Sequence, residues 1–214
     1  MSSPTPNGAQ SLIRTLVDAG VEVCFANPGT SEMHFVAALD DVPGMRAVLG
    51  LFEGVATGAA DGYARIAGKP ACTLLHLGPG LGNGLANLHN ARRAHTPMVN
   101  IVGDHATYHK RYDAPLESDI DAVAGTVSSW VHRSMTPAAV PSDGARAVAE
   151  AMRAPGGVAT LILPADVCWL DSTPPAAPVT PQPAAIVPDE VIAAAARALH
   201  SDGDSVLFLG GRTL

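Results

Sequence analysis

Residues 21–26, 47–52, 71–77, 98–103 and 158–163 are short, almost continuously apolar runs, and the segments between them carry apolar residues at helical spacing. Strands that are apolar on both faces must be covered on both faces, and strands joined through helices run parallel. The alternation therefore confines the chain to an α/β fold, a doubly wound parallel sheet with helices on both faces. Helices are predicted where Ala9, Leu12, Ile13, Leu16 and Val17 recur before Gly20, and over residues 54–67, 80–94 and 145–152. With 4% aromatic residues in 214, the core has to be filled by Ala, Val, Leu and Ile.

After residue 170 the pattern changes. Residues 171–188 read DSTPPAAPVTPQPAAIVP, a stiff Pro/Ala-rich stretch expected to be an extended linker. Beyond it, Val191, Ile192, Ala195, Ala196 and Leu199 form a helical stripe, and residues 205–209 with Gly210-Gly211 predict a strand. The expected organisation is a main domain over 1–170, a linker over 171–188, and over 189–214 the first helix and strand of a second domain, cut short.

The formal net charge of -7, with no basic run longer than two residues, argues against nucleic-acid binding. Cys24, Cys72 and Cys168 are odd in number and contain no C-x-x-C, which argues against a disulfide framework or a structural zinc site and for buried thiols in a reducing cytoplasm. The first six residues, MSSPTP, lack the basic and apolar regions of a signal peptide, and no apolar run nears the ~20 residues that span a bilayer. A soluble, cytoplasmic protein without membrane contact is expected.

In an open parallel sheet, ligands bind beyond the carboxyl ends of the strands. The residues at those exits are Asn27, Pro28, Gly29, Thr30 and Ser31, then Glu53, His76, and Gly103-Asp104-His105. Glu53 follows Leu49-Gly50-Leu51-Phe52 and precedes Val55, Ala56, Ala59 and Ala60, a setting in which a carboxylate should be poorly solvated and a strong partner for a donor on a ligand. The alternative is a first-turn glutamate favoured by the helix dipole. The helix's Gly54 and Gly58 would let another chain or a flat ligand approach closely. His76 reads as a pocket residue or a satisfied core histidine. Gly78-Pro79-Gly80-Leu81-Gly82-Asn83-Gly84 lacks the Lys-Ser/Thr of a phosphate loop and the spacing of a dinucleotide fingerprint, and reads as a tight strand-to-helix turn. His105 and His109 lie four apart without a third ligand, so no metal site is expected in this chain.

At these same exits the chain resembles the N-terminal, pyrimidine-binding domain of thiamine-diphosphate-dependent 2-oxo acid enzymes, of the acetolactate synthase and benzoylformate decarboxylase type. The resemblance covers about residues 8–164. It rests on Phe25-Ala26-Asn27-Pro28-Gly29, Phe52-Glu53-Gly54-Val55-Ala56, Ala60-Asp61-Gly62-Tyr63-Ala64-Arg65, Leu77-Gly78-Pro79-Gly80 with Asn83, and Asp113-Ala114-Pro115-Leu116-Glu117-Ser118-Asp119-Ile120.

The resemblance implies that Glu53 is catalytic, bonding N1′ of the cofactor's aminopyrimidine and favouring the imino tautomer that deprotonates the thiazolium carbon. The 2-oxo acid then loses carbon dioxide. It also implies that Pro28 and Gly29 line the aminopyrimidine and that Asn83 lies near the cofactor. Residue strings divide between subfamilies. Gly78-Pro79-Gly80 and residues 113–120 look like acetolactate synthase, whereas Phe52 and Asp104-His105 depart from it. Asn27-Pro28-Gly29-Thr30-Ser31-Glu32 and Leu75-His76 look like benzoylformate decarboxylase. By that likeness Asn27, Thr30, Ser31, His76 and His105 are candidates for substrate binding, and His76 also for proton transfer.

The family holds the diphosphate and its magnesium through a Gly-Asp-Gly motif and a downstream Asn in a separate C-terminal domain, which has no counterpart among these 214 residues. The chain is thus expected to hold only part of the thiamine diphosphate site and to be inactive alone, with magnesium entering through the missing domain and FAD binding left open. In complete relatives the active site lies between subunits, which implies a homodimer or homotetramer. A stand-alone, non-catalytic subunit partnering a separate catalytic chain is the other reading.

Overall fold

A computed structural model describes residues 5–210. These fall into two compact units divided between Gln182 and Pro183.

The first unit is built on a six-stranded sheet, β1 (Val23–Asn27), β2 (Arg46–Leu49), β3 (Ala71–Leu75), β4 (Met98–Asp104), β5 (Trp130–Arg133) and β6 (Val158–Pro164). The strand order is β2-β1-β3-β4-β6-β5 and every pairing is parallel. The helices are α1 (Gly8–Asp18), α2 (Met33–Asp41), α3 (Glu53–Ala67), α4 (Leu77–Arg93), α5 (Ile120–Gly125), α6 (Val140–Met152) and α7 (Ala165–Trp169).

Two buried clusters, one on each face, answer the continuous apolarity of the central strands. Leu12, Ile13, Leu16 and Phe35 pack with Leu74, Val99 and Ile101 on one face. Ala56, Ala60, Leu81 and Leu88 pack with Phe25, Leu75 and Val102 on the other. Small residues let α3 and α4 approach closely: Asn87 Nδ2 of α4 donates to Gly54 O at 2.6 Å and fills the space beside Gly58. Gly58 thus admits α4, whereas the space beside Gly54 is taken by the Phe52 ring. Through the centre of the sheet runs a buried polar ladder, Thr73 Oγ1 donating to Asn100 Oδ1 at 2.7 Å and Asn100 Nδ2 to Thr160 Oγ1 at 3.0 Å. All three residues are in register, so the ladder fixes how β3, β4 and β6 align.

Several boundaries differ from the sequence pattern. β2 stops at Leu49 because it is an edge strand, and Leu49, Leu51, Phe52 and Val55 are exposed rather than packed around Glu53. α4 starts at Leu77, so the glycines of residues 78–84 lie inside a helix. β5, α5 and α7 carry no apolar run long enough to announce them.

Asn7 caps α1 through a reciprocal capping box with Gln10. Ser11 Oγ donates to Thr173 O at 2.7 Å and Ala176 N to Thr15 Oγ1 at 3.0 Å, which ties the start of the Pro/Ala-rich stretch to α1.

The second unit contains α8 (Asp189–Leu199), which bears the predicted helical stripe. The strand expected at 205–209 does not form; a strand needs a neighbour to satisfy its backbone groups, and none pairs with this segment among the described residues. Gly211 and the start of the N-terminal leader, residues 1–4, lie outside the described residues.

Candidate functional site

The chain passes from β1 to β2 on one side, then returns across β1 to β3. α2, which follows β1, packs with α1 on one face, and α4, which follows β3, packs with α3 on the other. The exits of β1 and β3 thus diverge and open a crevice at a topological switch point. Asn27 ends β1, and Pro28, Gly29, Thr30 and Ser31 follow it into a 3-10 turn, Thr30–Glu32. His76 leaves β3 directly opposite.

Glu53 is the first residue of α3 and is buried, with 7% of its surface exposed. Its neighbours in sequence do not bury it. Asn83 Nδ2 from α4 donates to Oε2 at 3.0 Å, and a Cβ on Gly80 would lie 3.2 Å from Oε1. Oε1 accepts no hydrogen bond among the described residues. One oxygen is thus anchored and the other is free, an acceptor that fits an N–H donor on a planar heterocycle.

The hypothetical Cβ of Gly80 would also lie 3.4 Å from His76 Cβ, so His76 and Glu53 flank the same glycine. Leu77, between His76 and Gly78, is buried with φ +50°, an unusual value for a branched residue, and it forces the abrupt turn from strand to helix. Ser118 of the 113–120 segment packs on Gly78, where a Cβ would lie 2.2 Å from its Oγ.

Glu32 is the residue that sequence reasoning missed. It is 2% exposed, and its Oε2 accepts from the Gly29 N–H at 2.7 Å and meets His76 Nδ1 at 2.7 Å. Burial pushes its carboxyl above the ordinary glutamate value of 4.5, against the pull of the Gly29 N–H and His76. The close approach needs glycine: a Cβ on Gly29 would stand 2.4 Å from the His76 ring. The available signal was Glu32's place three residues after Gly29, one turn beyond the strand exit.

Thr30 is exposed and Asn27, Pro28, Gly29 and Ser31 are partly buried on the crevice's rim, while Asn83 is exposed apart from its bond to Glu53. His105 lies one strand further along, at the end of β4, its Nε2 buried without a partner among the described residues. The His105 and His109 rings meet at an angle of 56° with centroids 5.3 Å apart, and no group of three His, Cys, Asp or Glu able to hold a metal occurs among the described residues. Asp104 is fully buried between Arg133 and Lys110. No described helix is long and apolar enough to cross a membrane.

The comparison with known proteins decides the family, because the profile of the thiamine pyrophosphate enzyme N-terminal TPP-binding domain matches residues 6–124. The chain belongs to the thiamine-pyrophosphate enzyme family. Residues 6–124 match the family's N-terminal TPP-binding domain, and the resemblance read from the motifs holds. The chain is 68% identical over 96% of its length to IlvX of Mycobacterium tuberculosis, named as a candidate acetolactate synthase large subunit, and covers 39% of that protein. It is 33% identical over 72% of its length to benzoylformate decarboxylase of Pseudomonas aeruginosa, covering 29% of that enzyme.

Among solved structures, a candidate thiamin diphosphate-dependent enzyme from Mycobacterium smegmatis superposes with a TM-score of 0.79 at 29% identity, over 91% of this chain and 37% of that one. A Rhodococcus jostii RHA1 4-hydroxybenzoylformate decarboxylase, at 22% identity over 97% of this chain and 36% of that one, shares the fold with a TM-score of 0.74. The chain therefore spans about two fifths or less of the length of these relatives.

Proposed function

We propose that this chain binds the aminopyrimidine end of thiamine diphosphate within an enzyme that decarboxylates a 2-oxo acid and ligates the product to a second carbonyl, as an acetolactate synthase does. The observation that carries the reading is the half-anchored Glu53: a buried carboxylate with Asn83 on one oxygen and the other free beside Gly80. The high identity to IlvX along nearly the whole chain supports the acetolactate synthase side.

When bound, the cofactor supplies the nucleophilic carbon and the electron sink. Glu53 holds a proton-sharing hydrogen bond to the ring through Oε1, and its burial strengthens that bond. Asn83 keeps the carboxylate from turning, and Pro28 and Gly29 provide the wall against which a flat ring lies. His76, with Ser31, Thr30 and Asn27 nearby, binds the 2-oxo acid and moves a proton; His105 is a more distant substrate contact. In this reading the diphosphate and its magnesium are held by another domain, and a homodimer or homotetramer brings that domain to the crevice.

A second reading, a benzoylformate-decarboxylase-like enzyme that releases an aldehyde without ligation, is favoured by His76 and Ser31 at one crevice and by the similarity to the Pseudomonas enzyme. The protein that carries this segment, supplied with thiamine diphosphate and magnesium, should be assayed with pyruvate and benzoylformate for both aldehyde and ligated product. Ligated product supports the first reading and aldehyde alone the second. Glu53→Gln should lower turnover by about two orders of magnitude or more, the scale of a lost acid–base group. Undiminished turnover by that variant would sink both readings, and no turnover of either substrate by the wild type would leave the non-catalytic partner subunit.

A further inference from the structure

An ionisable group buried with one of its oxygens unbonded is expensive, and proteins retain such groups where they set geometry. Glu32 Oε1 is buried with no hydrogen-bond partner among the described residues. It lies against Gly103 at the end of β4, where a Cβ would stand 1.6 Å from that oxygen. Three strand exits therefore converge on this one side chain: Gly29 after β1, His76 after β3 and Gly103 in β4.

We propose that Glu32 is the positioning residue of His76, accepting its Nδ1–H, locking the plane of the ring and leaving Nε2 as the nitrogen presented to a substrate oxygen. Identifying that oxygen as belonging to a 2-oxo acid rests on the function proposed above; the geometry of the ring does not.

The direction of the bond follows from the charge on Glu32. A backbone N–H can only donate, and the one on Gly29 points at Glu32 Oε2 at 2.7 Å. An ionised carboxylate is acceptor-only, so with Glu32 charged the His76 Nδ1 facing that oxygen at 2.7 Å carries the hydrogen. The neutral imidazole in water favours hydrogen on Nε2, and Glu32 selects the opposite tautomer, as an orienting carboxylate does in a catalytic triad.

Accessibility agrees: the His76 side chain keeps 22% exposure while Glu32 keeps 1%. The ring can be reached and its anchor cannot. In use, Nε2 takes a proton from solvent, gives it to the substrate oxygen, and returns to the neutral Nδ1–H form with Glu32 unchanged.

The test is a two-bond 1H–15N spectrum of the 15N-histidine-labelled chain, with the His76 signals identified by their loss in His76→Gln. At a pH where the ring is neutral, wild type should show Nδ1 as the protonated nitrogen and Nε2 as the bare one. Glu32→Leu should return the ring toward the Nε2–H form, and Glu32→Gln, which keeps a carbonyl acceptor, should retain Nδ1–H. A wild-type ring in the Nε2–H form overturns the proposal even if the leucine variant does not fold. In the cofactor-loaded protein, Glu32→Leu should cut kcat/KM for the 2-oxo acid by about a hundredfold, with Glu32→Gln closer to wild type. Unchanged kcat/KM in Glu32→Leu overturns the functional half. If wild type has the expected tautomer but turns over no 2-oxo acid, the function proposed above fails, while Glu32's hold on the ring stands.

Discussion

Replacing Gly103 by Ala adds one methyl at the point where β4 meets Glu32, and its effect can be worked from distances. The new Cβ would lie 1.6 Å from Glu32 Oε1, 2.5 Å from Cδ and 2.8 Å from Cγ. An ordinary contact needs about 3.5 Å, so Oε1 has to retreat by roughly 2 Å. A carboxylate displaced that far cannot keep both Oε2 bonds, each now 2.7 Å, within hydrogen-bonding range.

Two bonds to an ionised group are worth about 1.5–3 kcal/mol each, which puts the loss near 3–6 kcal/mol. For a domain of this size each kcal/mol shifts Tm by about 2–4 °C, so Gly103→Ala should melt roughly 6–24 °C below wild type. Glu32→Ala removes all the atoms that the methyl would strike and relieves a buried charge. In that background the second substitution should cost about 1 kcal/mol or less. Urea unfolding of wild type, both single variants and the double variant at pH 7 gives the coupling, expected at about 2–5 kcal/mol. If Gly103→Ala costs the same in both backgrounds, to within about 0.5 kcal/mol, the packing of Glu32 against Gly103 is wrong.

Three further outcomes are expected. Asn100→Ala strips buried partners from Thr73 and Thr160 and should cost about 2–4 kcal/mol in urea unfolding; a loss below about 1 kcal/mol would remove the ladder from the list of register determinants. Glu32 binds its proton more tightly in the fold than unfolded, so its stabilising contribution is complete below pH 4.5 and lost as pH rises through the higher folded value. The Tm of Glu32→Gln relative to wild type should therefore climb from acid to neutral pH, and a difference independent of pH would contradict the burial. Burial pushes the thiols of Cys72 and Cys168 up, and both are almost wholly inaccessible, so native-state alkylation should label neither until urea is added.

The central strands were legible because they are apolar on both faces, and that follows from having helices above and below them. The edges were not. β5 contains Trp130, His132 and Arg133, polar or amphipathic groups that an edge tolerates, and the Arg133 guanidinium is used to hold buried Asp104 and surface Asp121. The apolar run through residues 47–52 overstated β2 for the opposite reason, since Leu49, Leu51 and Phe52 are apolar without being covered. At residues 205–209 the side-chain pattern is a strand's, but pairing is a property of the neighbour, which a local pattern cannot report.

The site divides along the same line. Glu53, His76 and Gly29 were accessible to a rule about strand exits, because the rule concerns where the backbone ends, whereas Asn83, inside α4, came only from the family resemblance. The burial of Glu53 was read for the wrong immediate reason: its large apolar neighbours Leu49, Leu51, Phe52 and Val55 are exposed, and Gly80 and Asn83 of α4 lie against it instead. Glu32 lies five residues past the end of β1 in a turn that reads as a helix cap. Its burial comes from the winding of the sheet, which places β3 and β4 beside β1 and brings His76 and Gly103 to meet it.

The same winding accounts for two carboxylates with different tasks within one crevice. Glu53 opens α3 on one face and keeps an oxygen free, whereas Glu32 sits under the turn into α2 on the other and spends its bonded oxygen on Gly29 and His76. A carboxylate with a free oxygen can bind a ligand directly; one walled in by Gly29, His76 and Gly103 can act only through the histidine it holds. Exchanging their roles would require opening Gly103 or closing Gly80. The glycines beside the acids, as much as the acids themselves, therefore assign the chemistry at this switch point.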